Sequence, residues 1–470
     1  MQPPANDAPP PQGTPSPSHW PARPEIESHQ SRNLLVLAVH QIVFRIGWVF
    51  KTESVIMPAF LDLVAGPGCG WLRGWMPTLN RFGQNVTPVF FAERLRAARL
   101  KKRGLAAYVM LMSLPLGVLA VAWLTFARQR PTSMIWLFLV LYFVFFVFNG
   151  LYHVSFGTTQ GKLIRPTRRG RLLLVSTALG TIPAMAAVCW LLPNWLSAPD
   201  GGFGYIFGWA AGCIFLSGLI VLAVSEPPDD GPTAPRRIGP KHTWLAIRRA
   251  LSDTRHVLRR DGNLRRLGLV APLFGCSLIV FPHYQALALQ GLGNNLPRLM
   301  VFVIVQNAAV GGYSLLVGPL ADAWGNRLTL RVLIFGSAVA PLLAIGLAHS
   351  GDLGANLYWL VFIPLGVTPL VLRILINYTL EVCQPDEHPR YVSTVNLCLA
   401  APFVFSPVVG WLVDVAGFEV GGFEVAGCEV VFLAAACLIL LGGCLTFRLD
   451  EPRHAVGGGE IEAAGPTNGD

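Results

Sequence analysis

Four basic side chains, Arg45, Lys51, Arg81 and Arg373, stand inside apolar runs of this 470-residue sequence. Charge within such a run is costly, so each is a candidate for function. Arg45 lies eleven residues past Leu34, about 16 Å along a helix rising about 1.5 Å per residue, which is close to mid-bilayer depth. Gln41 precedes it by one i,i+4 step, and Thr52 and Glu53 lie near the same side, giving one polar face. Arg373, Asn377 and Glu381 follow one another at i,i+4 steps and form a second face. A guanidinium offers a planar fork to carboxylate or phosphate, so two of them favour an anionic solute. The alternative for Arg45 and Arg373 is ion pairing with Glu53 or Glu381, or with carbonyls, which would only hold the bundle together. Glu53 is a candidate proton carrier, and its other reading is a membrane-surface pair with Lys51. Gln306 and Asn307 add polar groups in the middle of a further apolar run.

Enzyme chemistry finds no support. The sequence has no P-loop, no H-E-x-x-H, no CxxC pair and no glycine-rich dinucleotide turn, so neither catalysis, cofactor nor metal site is expected. Composition points elsewhere: 53% of residues are hydrophobic and only 13% charged, against about 25% charged in soluble domains. The 48 Gly and 37 Pro follow no G-X-Y period, and membrane helices tolerate both residues. A net charge of +10 in a soluble domain suggests nucleic acid, but here the basic residues crowd into loops and nucleic acid is not expected as a partner. Nine cysteines, mostly within apolar runs, read as free thiols, with a Cys69–Cys428 bridge as the alternative.

Twelve apolar segments approach the roughly 20 residues needed to cross a bilayer: 34–60, 71–92, 105–126, 134–158, 172–193, 204–224, 267–288, 299–320, 329–349, 357–381, 393–416 and 429–447. The expected fold is an all-α membrane protein. Arg94, Arg96, Arg99 and Lys101 to Arg103, then Lys162 to Arg171, then the run from Arg236 to Arg266 occupy alternate loops, whereas the other loops are nearly bare of Lys and Arg. By the positive-inside rule the basic loops and both termini are cytoplasmic, with the protein multi-pass in the plasma (inner) membrane. Residues 1–33 and 451–470 read as disordered tails. Residues 34–225 and 267–450 form two six-helix halves. Between them, 226–266 is a linker in which Trp244, Ile247, Leu251 and Val257 or Leu258 outline a basic amphipathic helix on the inner membrane surface. Pro282 is expected to kink the seventh segment.

A weak repeat relates the halves: Arg171-Leu-Leu-Leu-Val175-Ser176-Thr177 opens the fifth segment, and Arg390-Tyr391-Val392-Ser393-Thr394 opens the eleventh. Between the eighth and ninth stands Gly318-Pro-Leu-Ala-Asp322-Ala-Trp-Gly325-Asn-Arg327-Leu-Thr-Leu330. This run resembles the inner-loop signature of the major facilitator superfamily, G-x-L-A-D-x-x-G-x-[RK]-x-x-[LI]. Ser406-Pro407 to Gly417 is similar to a common ending of its eleventh helix. The first-half copy is degenerate, with Glu93 where an Asp is expected and the glycines missing. The resemblance implies two pseudo-symmetric six-helix bundles around a midplane cavity lined by helices 1, 4, 7 and 10. It also implies gating by Gly318, Asp322, Gly325 and Arg327. The expected protein is a monomeric secondary active transporter of a small solute, working in the bilayer by alternating access. The substrate candidates are Gln41, Arg45, Gln306, Asn307, Arg373 and Asn377, with Glu53 for proton coupling. Alternatives are a sensor or assembly factor that has lost transport, or a carrier of lipids or precursors.

Overall fold

The computed structural model describes residues 24–66, 68–126, 131–199, 201–228, 240–291, 295–383, 387–415, 418–420, 423–425 and 427–451. The first half comprises α1 (Pro24–Ser28), α2 (Gln30–Val49), α3 (Ile56–Ala65), α4 (Gly70–Ala97), α5 (Lys101–Phe126), α6 (Pro131–Leu163), α7 (Pro166–Leu196) and α8 (Phe203–Val221). Helix α9 (Pro240–Arg260) leads into the second half: α10 (Gly262–Ile279), α11 (Phe281–Ala286), α12 (Leu299–Ala348), α13 (Gly351–Leu357), α14 (Phe362–Leu365), α15 (Thr368–Val382), α16 (His388–Ala400), α17 (Ser406–Asp414) and α18 (Gly427–Leu445). A two-stranded antiparallel hairpin, β1 (Phe418–Val420) with β2 (Phe423–Val425), joins α17 to α18.

Among the described residues, nine helical stretches are long and apolar enough to cross a membrane. One of them holds two spans, because α12 is broken at Gly325, whose φ of 86° favours glycine. Helix α4 is long enough but more polar, and α2 with α3 forms a divided first span, which together match the twelve expected. The seventh span bends where expected, with α10 ending at Ile279 and α11 opening on Phe281-Pro282.

Two expectations require correction. The first span is not one helix over 34–60: α2 stops at Val49 and α3 starts at Ile56. The Thr52 hydroxyl donates to the Val49 carbonyl at 2.6 Å, and the Thr52 carbonyl collects the amides of Val55, Ile56 and Met57. Non-helical backbone at membrane depth is tolerated where protein or a cavity surrounds it. The disordered tail does not reach residue 33 either. Ile26 is buried with Leu37, Leu163, Ile164 and Val224, and the Asn33 side chain exchanges 2.8 Å hydrogen bonds with the Ser225 backbone. Residues 1–23, 229–239 and 452–470 lie outside the described residues. In α9, Val257 is buried against the second half and Leu258 packs beside it, so the end of that helix rests on protein, while Leu251 is exposed. Trp244 and Ile247 have no described side chains. All nine cysteines are free thiols, Cys69 and Cys428 included.

The basic loops meet at one end of the bundle, where the buried Glu226 carboxylate accepts from the Lys101 and Lys102 amides at 2.9 and 2.8 Å and from Lys162 Nζ at 2.8 Å. It thereby caps the start of α5 with a negative charge, which the helix dipole favours. Breaking a buried ion pair by removing one partner costs about 3–5 kcal/mol. A Glu226→Ala variant should therefore unfold several degrees below the parent when melting of the purified protein is followed in detergent.

Candidate functional site

A cavity of about 320 Å³ lies between the two halves. The break in the first span supplies Thr52, Glu53 and Ser54; α4 supplies Asn80 and Arg81; α6 supplies Tyr142; and the second half contributes Phe281, Gln306, Asn307 and Phe403. Glu53 is the hub of its charged wall. Lys51 Nζ donates to its Oε1 at 2.7 Å, and Asn80 donates to its Oε2. The ammonium of Lys51 lies 3.2 Å from the Trp48 ring centroid, 4.7 Å from that of Phe146 and 5.0 Å from that of Phe145. Such an aromatic cage attracts a cation through the ring quadrupoles. The surface-pair reading of Lys51 and Glu53 is thus wrong: the pair exists, but Lys51 is fully buried. Burial follows from the chain break, which turns Lys51 inward among rings instead of along a helix face.

Arg81 also faces the cavity. Its guanidinium sits 5.4 Å from the Phe403 ring centroid, and Glu53 and Tyr142 are near enough to act on it electrostatically. Among the described residues it makes no hydrogen bond or ion pair. Two bonds tie the halves together beside the cavity: Ser54 Oγ donates to Gln306 at 2.5 Å and Thr78 Oγ1 to the Phe403 carbonyl at 2.6 Å.

Of the residues singled out from sequence, Glu53, Gln306 and Asn307 line this cavity, whereas Gln41, Arg45, Arg373 and Asn377 do not. Gln41 donates to the Tyr152 hydroxyl at 2.6 Å. Arg45 is half-buried, and Arg373 and Asn377 are exposed. The two arginines, from opposite halves, lie close enough to repel each other. Neither pairs with the carboxylates proposed for it, because Glu53 is held by Lys51 and Asn80, and Glu381 accepts from Asn326 at 2.7 Å.

The end remote from the basic loops is sealed. Arg73, fully buried, donates to Asp62 at 2.6 Å within its own half and to Asp414 at 3.0 Å in the other, while its Nε approaches His283 Nδ1 at 3.4 Å. Gln285 adds a 2.8 Å bond to the second Asp62 oxygen. The same Asp414 carboxylate accepts the Gly70 amide at the start of α4, where the preceding residue, Cys69, provides no side-chain cap. A helix start presents unsatisfied N–H groups and favours negative charge, so Asp414 caps α4 from across the interface. Glycines permit this approach: a Cβ on Gly410 would run into the Gly70 carbonyl oxygen, and one on Gly74 into that of Ser406.

At the basic end, Gly325 breaks α12 beside the Glu451 carboxylate. Arg327 donates to the Phe447 carbonyl at 3.3 Å, and Arg331 lies 3.9 Å from the Phe447 ring centroid. Gly318 and Asp322 lie one to two turns before this break. The sequence marks Arg81 by its charge within a span but assigns it no role, and Arg73, at the start of the second apolar segment, is not singled out.

Two helical bundles around a midplane cavity, closed at one end and containing a broken helix with buried charge, define a multi-pass membrane carrier. The chain belongs to the Major Facilitator Superfamily, whose family model matches residues 74–407. No curated protein sequence matches it. Solved structures share the fold at low identity. The nucleoside transporter NupG (D323A mutant) has a TM-score of 0.61 at 15% identity, covering 89% of this chain and 100% of that one. The D-xylose-proton symporter gives 0.60 at 12% identity, over 88% and 98%. A bacterial homologue of the human lysosomal transporter Spinster, in an inward-facing and unoccupied conformation, gives 0.59 at 14%, over 90% and 97%.

Proposed function

We propose that this carrier moves a small anionic solute across the plasma membrane by alternating access, with both termini cytoplasmic and Glu53 as the proton carrier. The supporting observation is an excess of positive charge on the route between the halves: Arg45, Arg81 and Arg373 carry no hydrogen-bonded or ion-paired partner among the described residues, while the cavity-lining carboxylate, Glu53, is already held. Gln306 and Asn307 contribute amides to the cavity wall, and Gln41 and Asn377 flank the two arginines toward the basic end. The basic loops would face the cytoplasm, placing the Arg73 seal outside and the Arg45 and Arg373 pair at the inner mouth. Gly318, Asp322, Gly325 and Arg327 then form the inner gate's hinge.

The test is thermal stabilisation of the purified monomer by inorganic phosphate, citrate, nicotinate and glucuronate against glucose and uridine, because a ligand at 100 times its Kd stabilises by about 2.7 kcal/mol. At least one anion should raise Tm, and the Arg45→Gln, Arg81→Gln, Arg373→Gln triple variant should lose most of that rise. Stabilisation by the neutral solutes alone would reject the anionic reading.

A further inference from the structure

The charges around the central cavity add up in a way that narrows the substrate and sets the sign of coupling. Glu53 and Arg81 are the charged groups in the described cavity wall. Lys51, directly behind Glu53, is enclosed by Trp48, Phe145 and Phe146 and is out of reach of a solute. With Lys51 and Glu53 cancelling, one uncompensated positive charge remains, and it belongs to a guanidinium open to the cavity. Around that charge the wall is largely aromatic and aliphatic, with Trp48, Tyr142, Phe281, Leu278, Leu372 and Phe403, and a volume of about 320 Å³ is small for a ligand site.

We propose that this cavity binds a single small monocarboxylate at Arg81, and that protonation of Glu53 is linked to that binding, so that the protein works as an electroneutral proton–monocarboxylate symporter. The proposal rests on the reading of the cavity as the substrate site and adds to it the valence, the contacting residue and the direction of coupling. A carboxylate meets the Arg81 fork while its apolar body lies against the rings, much as guanidinium–carboxylate pairing does elsewhere. Glu53, close to the same guanidinium, repels that carboxylate. A proton on Glu53 removes the repulsion and leaves Lys51 and Arg81 both in need of a counter-charge, so proton and anion each strengthen the binding of the other. That mutual effect is reciprocal by thermodynamic necessity. The empty site (Lys51 and Arg81 positive, Glu53 negative) and the doubly loaded site carry the same net charge of plus one. The proton-only site carries one charge more and the anion-only site one fewer. States of equal charge meet the same electrostatic barrier to reorientation, which couples the two fluxes without sensitivity to voltage.

The titratable groups around this site are Lys51 from the same chain break, Arg81 from α4, and Tyr142 and His153 from α6, the last being within electrostatic reach of Lys51. Among the described cavity-lining residues, the second half contributes amides, hydroxyls and apolar groups only.

The experiment measures binding of nicotinate, benzoate and glucuronate to the intact purified protein, each against its uncharged counterpart: nicotinamide, benzamide and glucose. It is followed by solid-supported-membrane recording on proteoliposomes. At least one carboxylate is expected to bind at least tenfold more tightly than its neutral counterpart, with Kd rising as pH rises. Arg81→Gln should weaken that binding about tenfold to a hundredfold. Glu53→Gln should keep binding and remove its pH dependence, a result that a merely structural role for either residue would not produce. Proton uptake with the anion should occur without net current. Failure of all three carboxylates, equal binding of the neutral counterparts, an Arg81→Gln variant with unchanged affinity, or an electrogenic signal overturns the proposal. If phosphate or citrate binds while the monocarboxylates do not, the anion-carrier reading survives and this one fails. If neutral solutes alone bind, both fail.

Discussion

Replacing Arg73 by alanine is expected to open the sealed end of the protein. The substitution leaves Asp62 and Asp414 facing each other across the interface without the cation that joins them. Removing one member of a buried ionic cluster costs about 3–5 kcal/mol. Here the protein can escape most of that cost by separating the halves, so the penalty appears as a shift in conformational equilibrium of about a hundredfold or more. A reporter already stands beside the cluster: Cys69 is 4% exposed and its thiol lies 3.2 Å from Asp62. In a background with the other eight cysteines changed to serine, a membrane-impermeant maleimide should label Cys69 at least tenfold faster in Arg73→Ala than in the parent. Arg73→Lys should fall between them, since an ammonium keeps the charge but cannot fork to two carboxylates. Equal labelling rates in all three proteins would show that the cluster does not hold this end shut.

A second large effect is expected from Gly410→Leu, by a different cause. There the obstacle is volume: a Cβ at this position overlaps the Gly70 carbonyl oxygen and comes within 2.9 Å of the Gly74 Cα, both of them backbone that cannot swing away. The closed arrangement of α4 against α17 is then unavailable, while separated halves leave room for the side chain. The protein should fold, remain open at this end and lose alternation, with transport falling more than a hundredfold. Spin labels replacing the exposed Trp71 and Trp411 read the distance between these helices directly. The parent should show a short-distance population that disappears in the Gly410→Leu variant and is largely lost in Gly410→Ala as well, because the alanine Cβ already meets the Gly70 backbone. A distance distribution identical to the parent's would refute the steric account.

Much of the fold was legible because lipid leaves few options: an apolar run of about 20 residues becomes a helix, and its ends are marked by loops. Pro282 and Gly325 were equally readable, one because it cannot continue a hydrogen-bonded ladder and the other because its backbone conformation suits no other residue. The break at residues 50–55 was within reach, since Lys51-Thr52-Glu53-Ser54 interrupts an otherwise apolar run. Those four polar residues fit a helix end as well as a break inside a span, and periodicity does not separate the two. The site was harder for a physical reason. Arg73 meets Asp414 across 341 positions and Ser54 meets Gln306 across 252, and such contacts depend on how two bundles face each other. No local spacing records that. The same holds in reverse for Arg45 and Arg373, whose suggested partners are taken by groups distant in sequence.

The cap on α4 has one more consequence. Most helices carry their own stop and start signals, so their terminal turns are about equally protected throughout a protein's working cycle. In α4 the first amide is held by Asp414, which departs whenever the two halves part. The Gly70 amide is therefore protected during one half of each turnover and released to water during the other, while the Leu72 and Arg73 amides keep their bonds to the Cys69 carbonyl. Deuterium uptake at Gly70 becomes a clock for the cycle: slow when the carrier rests closed, fast when it rests open, and intermediate in proportion to the time spent in each. The halves thus share a secondary-structure signal that neither possesses alone, and a backbone amide, with no label attached, reports which way the protein faces.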